Sequence, residues 1–220
     1  MSKTLNTRFH GASLGELRTA IDHCRACSLW ANATQGVCGE GKVSAEVMLV
    51  GEQPGDQEDK IGHPFVGPAG KLLDQALIAA QIERSRVYVT NAVRHFKWIP
   101  RGKRRLHKKP ALSEIAACSD WLKAEIDLVR PKIIVCLGAT ATQALLGPSA
   151  KVTLIRGQLL ESDIANYLLV TVHPSSILRI VGEERKIAFI SLVEDLKKVH
   201  QIPHQTSPQR TNQKLATPRY

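Results

Sequence analysis

The feature that most constrains this chain is an alternation: four short, β-branched apolar runs (47–50, 86–93, 132–137 and 168–172) are separated by longer stretches with helical spacing. Strands that are apolar at nearly every position belong in a sheet covered on both faces, and intervening helices are what join parallel strands. Helical periodicity runs over 14–23, 70–80, 113–129, 139–146 and 183–199, with Ser113 as the expected N-cap of the third. Right-handed crossovers then predict an α/β fold, a three-layer sandwich around a central, mainly parallel four-stranded sheet. A length of 220 residues with 43% hydrophobic content suits one such domain, 1–199. From 200 to 220 the chain turns polar, and its last twenty residues hold three basic and no acidic side chains, the composition of a disordered basic tail.

A formal net charge of +10 favours a polyanionic partner, nucleic acid first, although solvated lysines on an ordinary surface give the same total. No apolar run is long enough to span a bilayer and the N-terminus lacks the pattern of a secretory signal, so a cytoplasmic protein without membrane contact is expected. Five cysteines are an odd number for a disulfide framework. Cys24 and Cys27, two residues apart, have the spacing that lets two thiolates reach one metal centre. Cys136, inside an apolar run, reads as a buried small hydrophobe.

Ligands of open parallel sheets bind beyond the carboxyl ends of the strands, and here those ends are polar or glycine-rich. The first run is followed by Gly51-Glu52-Gln53-Pro54-Gly55-Asp56 and, further on, Pro64-Phe65-Val66-Gly67. The second carries Asn91 and then a stretch, 94–109, with eight Lys or Arg residues. After the third comes Gly138-Ala139-Thr140, and after the fourth His173-Pro174-Ser175-Ser176. Four strand ends converging on one rim make a site.

These blocks resemble the uracil-DNA glycosylase superfamily, in particular its family 4 iron-sulfur branch and, within that, the UDGX type. Gly51-Glu52-Gln53-Pro54-Gly55 is similar to the branch's first motif with Gln53 in place of an alanine. Lys103-Arg104-Arg105-Leu106-His107-Lys108 is similar to the extra basic loop of the UDGX type, and His173-Pro174-Ser175 to the superfamily's second motif. The resemblance implies an enzyme that flips uracil out of DNA and cleaves its N-glycosidic bond. Phe65 would stack on the base, and the Asn91 amide would match uracil N3-H and O4 while mismatching cytosine. Gly51 would line the pocket, and His173 would donate to uracil O2 as negative charge develops there. In UDGX-type proteins the histidine corresponding to His107 attacks the sugar C1' and leaves a covalent adduct; Glu52 would orient it. From spacing alone His107 is one more polar residue in a phosphate-binding loop. Gln53, Asp56 and Asp59 would position water, substrate or the loop. Phosphates would be met by Lys103, Arg104, Arg105, Lys108, Ser175, Ser176 and Arg179, with Ile177 or Arg179 as the wedge that fills the vacated stack.

The same resemblance places metal ligands at Cys24, Cys27 and Cys118, with His95 standing where the family has a third cysteine and Cys38 as the competitor for that position. Cys3His serves zinc as readily as iron and sulfur by its chemistry; the resemblance favours a 4Fe-4S cluster. The expected partner is uracil-containing DNA, the single-stranded form preferred, and the expected state a monomer. Three functions share these residues: a covalent trap, a turnover glycosylase and a noncatalytic uracil-DNA binder. Electron transfer is a weaker reading, because no second cluster or flavin motif accompanies the first.

Overall fold

The computed structural model describes residues 12–202. In chain order its elements are α1 (Leu14–Asp22), β1 (Val47–Gly51), α2 (Asp56–Ile61), α3 (Pro68–Ala79), β2 (Val87–Asn91), β3 (Trp98–Arg101), β4 (Arg104–His107), α4 (Leu112–Val129), β5 (Ile133–Leu137), α5 (Ala139–Leu146), α6 (Val152–Ile155), β6 (Leu159–Glu161), β7 (Tyr167–Thr171), α7 (Pro174–Ile177) and α8 (Gly182–Lys197). The main sheet has the order β2-β1-β5-β7-β6, parallel except at the β6 edge.

Alternation along each strand sorts the core into two layers. Leu49, Val89, Val135 and Leu169 face α3 and α8, meeting Leu73, Ala76, Leu77, Leu192 and Leu196. Met48, Tyr88, Ile134 and Leu168 face the other way, towards Leu122, Ile126 and Val129 of α4 and Ala141 of α5. The three-layer sandwich is therefore present, with a fifth, antiparallel strand that the sequence reading did not include. A three-residue strand has too few positions to show its period.

Other expectations change. The basic stretch read as a loop contains a second sheet: β3 and β4 pair as a hairpin in the register Trp98↔His107, Ile99↔Leu106, Pro100↔Arg105 and Arg101↔Arg104. Its dense positive charge hides the alternation by which a hairpin is recognised. Ser113 is not a cap, because the Glu114 carboxylate accepts from Ala111 N–H at 2.6 Å and starts α4 one residue earlier. The first residues of the expected tail are ordered against the domain: a 3₁₀ turn covers Lys198–Gln201, and His200 Nε2 lies 2.8 Å from Ala80 O. The remainder of the tail, 203–220, lies outside the described residues.

Candidate active site

The parallel strands end on one rim, and each delivers a side chain to it. Glu52 follows β1, Asn91 ends β2, Thr140 opens α5 just beyond β5, and His173 follows β7. Two glycines let these groups close up. A Cβ on Gly51 would stand 2.5 Å from Asn91 Oδ1 and 2.6 Å from Phe65 Cζ, so a side chain there would displace both. Gly138 has φ +84°, and a Cβ on it would meet His173 Cβ at 2.8 Å. Phe65 itself has φ +58°, an unusual conformation for an aromatic residue and a cost tolerated mostly at functional positions. Its ring stacks beside His173 at 6.2 Å between centroids.

His173 is held in one tautomer. The Ser175 backbone N–H donates to Nδ1 at 3.2 Å and the Ser175 hydroxyl lies 2.8 Å from the same nitrogen, so the ring proton resides on Nε2. Burial pushes its imidazolium pKa down to about 4, and the Glu52 carboxylate opposes this only in part. A neutral imidazole with a fixed Nε2–H is a donor for charge that develops on an oxygen.

The hairpin closes over the rim and brings His107 to Glu52, with Nε2 3.0 Å from Oε1. The other Glu52 oxygen accepts from the Thr140 hydroxyl at 2.5 Å. Burial raises the Glu52 carboxyl pKa, but the hydrogen bonds from His107 and Thr140 outweigh it, and the net shift is downward.

The structure reassigns several residues. Gln53, expected near the chemistry, is buried and clamps the base of the hairpin: its amide donates to Lys97 O and Lys108 O at 3.2 and 3.0 Å and accepts from Lys97 N at 3.0 Å. Asp59, expected to touch substrate, is fully buried and accepts from Thr34 and from Arg105 NH1 at 2.6 Å. Asp56 accepts from Arg105 Nε at 2.5 Å. Arg105 is therefore not a free phosphate contact; it latches the hairpin to α2, with its guanidinium 5.4 Å from the ring centres of both Phe96 and Trp98. Thr34, Phe96 and Trp98 were missed, and no local motif announces them. Ser175 spends its hydroxyl on His173, and Ser176 donates to His173 O at 2.7 Å. Ile177 is buried, which excludes it as a wedge in this conformation, whereas Arg179 is exposed. Lys103, Arg104 and Lys108 are exposed on or beside the hairpin, where phosphates can reach them.

A family model for the uracil DNA glycosylase superfamily matches residues 38–197, which contain every rim residue described above. The chain belongs to the uracil DNA glycosylase superfamily. Its relatives in that superfamily include a type-4 uracil-DNA glycosylase of Thermotoga maritima, 38% identical over 180 residues that make up 81% of this chain and 88% of the relative. Another, from Sulfurisphaera tokodaii, is 38% identical over 201 residues, 86% of this chain and 84% of its own. A third, from Pyrobaculum aerophilum, is 36% identical over 76% of this chain and 85% of its own.

The superfamily match begins after Cys24 and Cys27, which approach the domain from the N-terminal side. The Cys27 and Cys118 thiols are neighbours, and their interaction lowers the Cys27 pKa to about 6 and raises that of Cys118. Cys24 is buried, and its sulfur accepts from Trp121 Nε1 at 3.2 Å. His95 is 2% exposed and its Nδ1 has no partner. Cys38 turns instead to Glu125, its thiol donating to Oε1 at 3.3 Å, and burial pushes its pKa to about 12. Among the described residues no three His, Cys, Asp or Glu side chains stand within reach of one ion. Cys136 is fully buried. No helix among the described residues is long and apolar enough to cross a membrane.

Proposed function

We propose that this chain excises uracil from DNA, single-stranded DNA preferred, and captures the resulting sugar through His107, as UDGX-type members of the superfamily do. Type-4 uracil-DNA glycosylases among its relatives support the excision. The observation that carries the covalent step is the pairing of His107 with Glu52 at 3.0 Å, on a hairpin latched over the strand ends.

In this reading the flipped base stacks on Phe65 and is read by Asn91, against the floor that Gly51 keeps open. The C1'–N1 bond breaks with its electron pair passing to uracil, and His173 Nε2–H stabilises the charge on O2. The nitrogen of His107 that is not turned to Glu52 gives its lone pair to C1'. The ring proton shared with Glu52 then leaves, so the product imidazole is uncharged, and the uracil anion takes up a proton. Lys103, Arg104, Lys108 and Arg179 hold the phosphates. The protein acts as a monomer in the cytoplasm.

Cys24, Cys27, Cys118 and His95 would hold a 4Fe-4S cluster. Two thiols in contact and a buried imidazole nitrogen without a partner suit such a group in kind, and the set closes only if side chains move. When bound it would cross-link the segment after α1, the segment after β2 and α4.

Uracil-containing single-stranded DNA, incubated with the protein and run on a denaturing gel, tests the function. A band of protein joined to DNA, with the linkage mapped to the peptide containing His107, is the expected result. Free protein with abasic DNA would leave a turnover glycosylase, and intact DNA a binder.

A further inference from the structure

Glu52 is held from two sides that come from different strands. On one side stands His107, carried by the hairpin and 44% exposed at its side chain. On the other stands Thr140, fully buried, its hydroxyl 2.5 Å from Glu52 Oε2. The place of Thr140 is set by covalent neighbours with little freedom. Gly138 packs against His173, and the Thr142 hydroxyl returns to Gly138 O at 2.8 Å, which fastens the first turn of α5 to the end of β5. A threonine so buried is restricted about χ1, and its single hydroxyl proton is committed to the carboxylate.

We propose that Thr140 is a positioning residue that fixes the Glu52 carboxylate so that its second oxygen is presented to His107; this rests on the reading of Glu52 and His107 given above. A glutamate held only by an exposed histidine would rotate about its side-chain torsions and spend part of its time away from the ring. A donor built into the sheet end removes that freedom before DNA arrives, so the orientation is not assembled at the moment of attack. The hydroxyl also favours the ionised carboxylate, since a charged oxygen accepts its hydrogen bond more strongly than a protonated carboxyl does. The titratable groups that face Glu52 are His107 and His173, and only His107 is in contact with it.

The test compares Thr140→Val, which keeps the shape and removes the hydroxyl, with Thr140→Ser, which keeps the hydroxyl. Adduct formation on uracil-containing single-stranded DNA should slow by about tenfold or more in the valine variant, with DNA affinity unchanged. The acid limb of its pH profile should move to higher pH, and the serine variant should restore both rate and limb. A purely structural role would lower the thermal midpoint and leave the limb in place, and that result would overturn the proposal. Carbon-13 titration of the Glu52 carboxyl in the free protein supplies a readout that needs no adduct: its midpoint should rise in Thr140→Val and return in Thr140→Ser. If the parent forms no adduct, the covalent reading falls, while this titration still decides the role of Thr140. If the valine variant does not fold, Thr140→Ala takes its place in the same titration, and an unshifted Glu52 midpoint there would overturn the proposal.

Discussion

His173 shows how one residue acquires a fixed chemical state. Two groups of Ser175 occupy its Nδ1, and burial holds its pKa near 4, below the ordinary 6.5. The unfolded chain therefore binds more protons than the folded one between those values, and the stability this histidine contributes is full above about pH 6.5 and lost as pH falls towards 4. Thermal midpoints measured across that window should decline with acid, and His173→Gln should flatten that decline. If His107 captures the sugar as proposed, His107→Ala should abolish the adduct and leave uracil release within about tenfold, because water then meets the sugar in place of a positioned imidazole. Mass spectrometry of the parent after proteolysis would refute this if DNA were attached to another peptide. Asn91→Asp should cost about a hundredfold in uracil discrimination, measured against cytosine in the same strand, since the amide donor to O4 is replaced by a repelling charge. Glu52, Asn91 and His173 could be placed on the rim from the sequence because each stands at or just beyond the carboxyl end of a strand that an apolar run marks. Thr140 was placed on the same rim, but its pairing with Glu52 could not be read, because the two lie 88 positions apart and only the sheet order sets β1 beside β5.

The hairpin is the element that carries basic side chains and also brings His107 to Glu52. Its tip and its root do different work. Arg105 ties the hairpin to the buried Asp59 and to Asp56, a forked geometry that lysine does not reproduce. Arg105→Ala should destabilise the protein by about 1–3 kcal/mol, since Asp59 is left buried with Thr34 as its remaining partner, and should slow adduct formation. Arg105→Lys should not restore the rate; full restoration would mean that charge alone suffices. Lys103 and Arg104 face solvent at the tip. Replacing both by alanine should make the log-log salt dependence of binding shallower by about 0.7 per lost phosphate contact on single strands. The sequence reading gave all three residues the same task because composition does not separate a charge paired with a buried carboxylate from one left in solvent. The clamp by Gln53 was hidden for the same reason, as a backbone acceptor leaves no trace in the residue that offers it.

At the scale of the whole molecule, the layered fold was legible because five helical stretches and four strands repeat their periods clearly. What was not legible is the buried charge beneath it. Arg94 and Glu125 are both fully buried and lie 3.0 Å apart, and Glu125 also accepts from Gly39 N and Thr90 Oγ1 at 2.7 and 2.6 Å. Glu125→Gln should cost about 3–5 kcal/mol in a denaturant titration, because the arginine is left without its counter-charge. Purified protein should contain iron and be brown, and Cys24→Ala or Cys118→Ala should lose both iron and stability; a fully active, zinc-loaded parent would contradict this. The parallel sheet has a consequence for how the molecule comes together. Val47 pairs with Val87 on one side and with Ile133 on the other, so β1 waits for partners 40 and 86 residues away, while β3 and β4 meet across a tight turn. Closing long loops is slow and closing short ones is fast. The hairpin can thus form while the chain is still largely open, yet the carboxylates that latch it and the Glu52 that its histidine meets all follow β1. Under the covalent reading proposed above, refolding would place His107 early and orient it last, keeping it idle until the surface that selects its target is complete.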